Sequence, residues 1–174
     1  MDENVLTLKQ IQKKLQTKQH VLIHLCEKGV IEPDFQETQG RGIHREFSQR
    51  NLLEFAVALT IRKYGIPVAT TAAIVRLLKS FERSTQRRIK GFSLIEYLQK
   101  RRTNPNILLF LYDGEYMVFG IEKDQKFLSV TGFNISKLIS EPERQVKLDH
   151  LDDFPTSFDS YLRIDLQRIA QKIS

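Results

Sequence analysis

The chain has 174 residues, a formal net charge of +6 at neutral pH, 41% hydrophobic residues and a single cysteine. That apolar content excludes wholesale disorder, the lone Cys26 excludes an internal disulfide or a four-cysteine metal site, and no apolar run reaches the roughly 18–20 residues that span a bilayer. The charge is uneven: residues 1–102 hold 19 Lys+Arg against 10 Asp+Glu, and residues 103–174 hold 8 against 11.

In chain order, Thr7-Leu8-Lys9-Gln10 opens the first predicted helix. Thr7 suits an N-cap and Gln10 stands three residues on, as a capping box requires. Leu8, Ile11 and Leu15 share one face, and the helix is expected to end near Gln16. A second helix is predicted from about Lys18 to Lys28, with Val21, Leu22 and Leu25 as its stripe, Gly29 as its left-handed terminator and Pro33 beyond it. Two short helices joined by a tight turn form a helix-turn-helix. Gln36 to Phe47, with Gly40 and Gly42 among polar and basic residues, reads as a hairpin wing. Ser48 then caps an apolar helix over about Gln49–Tyr64, closed by Gly65. Pro67 fits the first turn of a helix to about Glu82, burying Val68, Ala72, Val75 and Leu78. Ser93 and Glu96 suggest a capped helix over Leu94–Arg102.

Beyond Asn104-Pro105 the period changes. Ile107–Tyr112 and Tyr116–Ile121 flank Asp113-Gly114, a hairpin signal. Phe127–Thr131 is a third strand, residues 140–157 read mostly as loop, and Ser160–Ile164 is a further strand before a final helix capped by Asp165. The expected fold is therefore α+β: a helical winged helix-turn-helix domain over 1–82, a basic helical linker or dimerisation segment over 83–104, and a small α/β domain with an antiparallel sheet over 105–174, for dimerisation or effector sensing.

This order of elements resembles the MerR (mercury-resistance regulator) family. The residues that carry the likeness are Glu27-Lys28-Gly29-Val30-Ile31 with Pro33, Arg45-Glu46-Phe47-Ser48, and Arg62-Lys63-Tyr64-Gly65-Ile66. The likeness covers about residues 5–80. Two features depart from it: His24-Leu25-Cys26 stands where the family has an Arg-Tyr-Tyr type run, and Gly91 interrupts the region where the family continues into a long dimerising helix. The resemblance implies a homodimeric, cytoplasmic transcription regulator acting on double-stranded DNA at a pseudo-palindromic promoter site, with RNA polymerase as a possible partner and a small-molecule effector of unknown identity.

The candidate DNA-binding residues follow from the motif. Lys18, Gln19 and His20 occupy the first turn of the second helix and His24 lies on the same face, where side chains reach base edges. Wing residues Arg41, His44 and Arg45 suit phosphate or minor-groove contacts; Arg45 serves equally well as a brace pairing with Glu46 or Glu54. His20 and His24 have metal-pair spacing, but nothing else converges on them, so no metal is expected. Cys26 reads as a small apolar residue rather than a redox sensor. Phe110, Tyr112, Tyr116, Phe119, Phe127 and Phe133 read as sheet core, with an apolar ligand pocket as the alternative. No catalytic constellation or cofactor motif appears, so an enzyme is not expected. The competing functions are an architectural, excisionase-like DNA-bending protein without effector, and a protein-binding adaptor that uses the C-terminal domain.

Overall fold

A computed structural model describes residues 5–35, 45–100, 104–141 and 159–173. The fold is the mixed α+β arrangement expected from the sequence. The chain divides into two compact units, one comprising Met1–Ile95 with Lys172–Ser174 and the other Glu96–Gln171. None of the described helices is long and apolar enough to cross a membrane.

The first unit opens with strand β1 (Leu6–Thr7) and helix α1 (Leu8–Leu15). The capping box is formed: Gln10 N donates to Thr7 Oγ1 at 3.3 Å and Thr7 N donates to Gln10 Oε1 at 2.7 Å. Gln16 adopts φ 48°, a left-handed stop, and the chain turns into helix α2 (Gln19–Glu27). Ile11, Leu22 and Leu25 are buried where these two helices pack. Gly29, at φ +65°, ends α2 as expected.

Strand β2 (Glu46–Phe47) pairs antiparallel with β1, Leu6 opposite Phe47. The sequence did not reveal this two-stranded ribbon, because two residues are too few to show alternation. Helix α3 (Gln49–Arg62) begins at Ser48, whose Oγ accepts from Asn51 N at 3.1 Å. Phe47 is fully buried, edge-on to Phe55 with ring centroids 5.4 Å apart. Helix α4 (Val68–Gln86) packs against α3. It buries Ala72, Val75 and Leu78 but leaves Val68 half-buried, and it runs a turn past Glu82. Glu82 is not a terminus: it is buried inside the helix, and its Oε1 accepts from Leu94 N at 2.8 Å.

Helix α5 (Leu94–Gln99) is shorter than its sequence suggested. Asn104 Nδ2 donates to Tyr97 O at 3.0 Å, satisfying a carbonyl that a longer helix would have used. The second unit is a four-stranded antiparallel sheet, β3 (Asn106–Tyr112), β4 (Tyr116–Lys123), β5 (Lys126–Asn134) and β6 (Tyr161–Asp165), in the order β5-β4-β3-β6. Asp113 and Gly114 both take positive φ, 48° and 74°, within the three-residue loop that joins the paired Tyr112 and Tyr116. Asp113 Oδ1 also accepts from Ser160 N at 2.7 Å, tying the hairpin to the start of β6.

Strand β5 continues three residues past Thr131 into helix α6 (Ile135–Ser140), which the sequence reading lacked. Asn134 caps it, its Oδ1 accepting from Lys137 N at 3.0 Å. Helix α7 (Leu166–Lys172) is capped as expected, Asp165 Oδ1 accepting from Arg168 N at 2.9 Å. The chain's last described residues return to the first unit, where Lys14 Nζ donates to Ile173 O at 3.4 Å.

Phe47 joins the β1–β2 ribbon to α3, so Phe47→Ala should cost about 3–5 kcal/mol of unfolding free energy. Chemical denaturation monitored by circular dichroism measures this; a loss below about 1 kcal/mol would mean Phe47 is not a core residue.

Candidate nucleic-acid interface

The turn after α1 leaves the start of α2 facing solvent. Lys18, Gln19, His20 and His24 are all exposed, while Leu22 and Leu25 on the opposite side are buried. Four candidates therefore share the outward surface of one helix. Lys18 is the N-cap residue, and its side chain makes no capping hydrogen bond to the amides of the first turn. Those amides and the helix dipole give this end partial positive character. On α1, Lys9 and Lys13 are exposed along an open cleft of about 550 Å³ that they line with Gln10, Gln12 and Gln16. The sequence reading did not single out these lysines, although their spacing on an exposed helix face was visible.

Arg45 is half-buried beside β2, and Arg41 and His44 lie outside the described residues. Among the described residues no group of three or more His, Cys, Asp or Glu is arranged to hold a metal ion. Cys26 is half-buried rather than fully buried.

The segment after α2 and the start of α3 are joined by a polar cluster that the sequence did not reveal. Asn51 is fully buried and uses all four hydrogen-bonding positions of its amide. Its Oδ1 accepts from Asp34 N at 2.9 Å and Ser48 N at 3.2 Å. Its Nδ2 donates to Glu32 O at 3.0 Å and Glu54 Oε2 at 2.8 Å. The segment leaving the helix-turn-helix is thereby fastened to the start of α3. Asp34 accepts from Ser48 Oγ and from the guanidinium of Arg50, whose Nε lies 3.1 Å from Asp34 Oδ2. Glu54, named as a possible partner of Arg45, is engaged by Asn51 and by Arg50 at 3.8 Å. Glu82 of α4 lies 3.6 Å from Arg50, and Lys79 Nζ lies 3.2 Å from Glu32 and 3.9 Å from Asp34.

The charge balance is uneven. Among the described residues, Asp34, Glu54, Glu82 and Glu32 surround two cations, Arg50 and Lys79. Glu54 Oε1 and Glu82 Oε2 are buried and make no hydrogen bond among the described residues. Burial pushes the Glu54 carboxyl up to about 7, against the opposing effects of the Asn51 hydrogen bond and the Lys79 charge. Burial also works to raise Asp34, but hydrogen bonds from Arg50 and Ser48, together with the charges of Arg50 and Lys79, outweigh it and hold Asp34 below the usual carboxylate range.

These two shifts act oppositely on stability. Glu54's contribution is complete below its ordinary 4.5 and is lost as pH rises through about 7. Asp34's contribution is present above its ordinary value and lost as pH falls through its depressed one. Between pH 5 and 8.5 the Glu54 effect dominates, and wild-type stability should fall by up to about 3 kcal/mol. Urea titrations across that range should show this decline, and Glu54→Gln should flatten it; an equal slope in the variant would place the titration elsewhere. No protein-family model matches this sequence, and it has no significant match among curated proteins.

Proposed function

We propose that this protein is a sequence-specific DNA-binding transcription regulator that acts as a homodimer, its α1–α2 helix-turn-helix entering the major groove. The observation that carries this reading is the outward face of α2, where Lys18, Gln19, His20 and His24 are exposed together at a helix N-terminus where Lys18 makes no side-chain capping hydrogen bond. Gln19 suits a bidentate bond to adenine, and Lys18 suits guanine or phosphate. Lys9 and Lys13 on α1 suit the backbone-crossing role of the first helix. The excess of cations over residues 1–102 adds a long-range attraction for a polyanion. The wing would contribute through Arg45 and through Arg41 and His44. By the MerR resemblance, the protein would work in the cytoplasm at promoters used by RNA polymerase, without a cofactor and without catalysis.

One observation favours a second reading. The C-terminal sheet leaves aromatic side chains open to solvent, which suits a protein-binding adaptor.

Selection from a random duplex library, followed by binding titrations, tests the leading function. An enriched motif with two-fold symmetry is expected. Gln19→Ala should weaken binding by about 1–3 kcal/mol, concentrated at one base position. Lys18→Ala should weaken all sequences alike and reduce the salt slope by about one unit if Lys18 contacts phosphate. Absence of enrichment over random DNA at moderate salt would overturn the proposal.

A further inference from the structure

One guanidinium serves carboxyl groups from three parts of the chain. Arg50 Nε donates to Asp34 Oδ2 at 3.1 Å, and Arg50 Nη2 donates to Asp34 Oδ1. Glu54 Oε1 lies 3.8 Å from Arg50 Nε, and Glu82 Oε2 lies 3.6 Å from Arg50 Nη1. These last two separations are too long for hydrogen bonds. Both oxygens are buried, and neither makes a hydrogen bond among the described residues. Two buried acceptors thus stand beside a donor group that is committed to a third. A buried acceptor left unfilled is costly, so a small movement of Arg50 towards either one exchanges one bond for another.

The other oxygen of each glutamate holds a different piece of the chain. Glu54 Oε2 accepts from Asn51 Nδ2 at 2.8 Å, and Asn51 is bonded in turn to Asp34 N and Glu32 O. Glu82 Oε1 accepts from Leu94 N at 2.8 Å. Leu94 opens α5, two residues before the chain enters the second unit at Glu96. Arg50 therefore stands between the segment leaving α2 and the start of α5.

Glu54 is the group that can change how Arg50 is shared. It is 3% exposed, and it faces Arg50 of its own helix, Asp34 from the segment after α2 and Lys79 from α4. When Glu54 is protonated, its Oε1 offers the guanidinium no charge and Nε stays with Asp34. When Glu54 is ionised, the same oxygen competes for Nε as a charged acceptor. Movement to Glu54 draws the guanidinium from Asp34 and Glu82 alike. Glu82 then leans on the Leu94 amide, and a hydrogen bond to a charge is shorter than one between neutral groups. Burial sets the changeover near pH 7, against the Asn51 hydrogen bond and the Lys79 charge.

We propose that Arg50 is a proton-operated exchange: with Glu54 protonated it fastens Asp34 in the segment leaving α2, and with Glu54 ionised it moves to Glu54, releasing Asp34 and tightening Glu82's hold on the start of α5. The exchange takes place within the folded chain and is distinct from unfolding.

NMR of the full chain without DNA tests this, following the Glu54 carboxyl carbon, the Arg50 Nε–H and the Leu94 amide together. From about pH 5 to 8.5 Glu54 passes from about 1% to about 97% ionised, so almost the whole exchange is sampled. All three signals should titrate with one midpoint near pH 7, the Leu94 proton moving downfield as pH rises. Glu54→Gln should abolish the response of both Arg50 and Leu94. Glu82→Gln keeps an acceptor for Leu94 but removes the charge; Glu54 and Arg50 should still titrate, and Leu94 should not. Circular dichroism checks that each variant is folded. A wild-type Glu54 that does not titrate in this range would overturn the proposal. So would an Arg50 or Leu94 signal that stays still while Glu54 titrates, or a Leu94 proton that moves upfield. A response that survives Glu54→Gln, or a Leu94 response that survives Glu82→Gln, would overturn it too. The wild-type titration can overturn the proposal even if neither variant folds, and its outcome is independent of whether library selection finds a motif.

Discussion

A side-chain amide withdrawn from water must find partners for two donors and two acceptor positions, and at Asn51 the protein supplies all four. Three of them are backbone groups, at Glu32, Asp34 and Ser48. One buried residue therefore fixes the segment leaving the helix-turn-helix, the residue that caps α3, and the orientation of Glu54. Removing such a group would strand its partners without solvent, which costs more than the bonds contribute while made. The Phe47–Phe55 contact and the β1–β2 ribbon complete the same junction from its apolar side.

The ionic shell around Asn51 has a different physical character. Arg50 is shared among three carboxylates, and Lys79 is divided between Glu32 and Asp34. Partly buried ion pairs gain little net stability, since desolvation offsets attraction. Their value here is geometric: α3, α4 and the residues 32–34 meet at one guanidinium. Burial makes Glu54 a site where a proton is readily held. The junction beside the proposed DNA-reading helix therefore carries a group that titrates near neutrality.

The two units divide the chemistry. The first exposes cations and the start of α2 beside a buried polar junction. The second exposes aromatic rings and a balanced ion pair on an otherwise well-packed sheet. The cationic excess and the exposed aromatic rings therefore lie in different parts of the chain.

Much of this was determined locally, and the sequence shows it. The Thr7–Gln10 capping box, the left-handed Gly29, the Asp113-Gly114 turn and the Asp165 cap each depend on residues within about four positions, where backbone preference and short-range hydrogen bonds decide the outcome. The exposure of Lys18, Gln19, His20 and His24 followed from helical period and from Leu22 and Leu25 claiming the opposite side. Other features depended on partners far along the chain. Asn51 and Arg50 read as ordinary first-turn residues until Glu32, Asp34 and Glu82 are brought against them. The aromatics of the second half look alike in sequence; the register of the strands decides which face each takes, with Phe133 buried and Phe127 exposed. Periodicity reports that a residue has a side, but only the packed structure determines what lies on that side, because burial belongs to the assembled elements and not to any one of them.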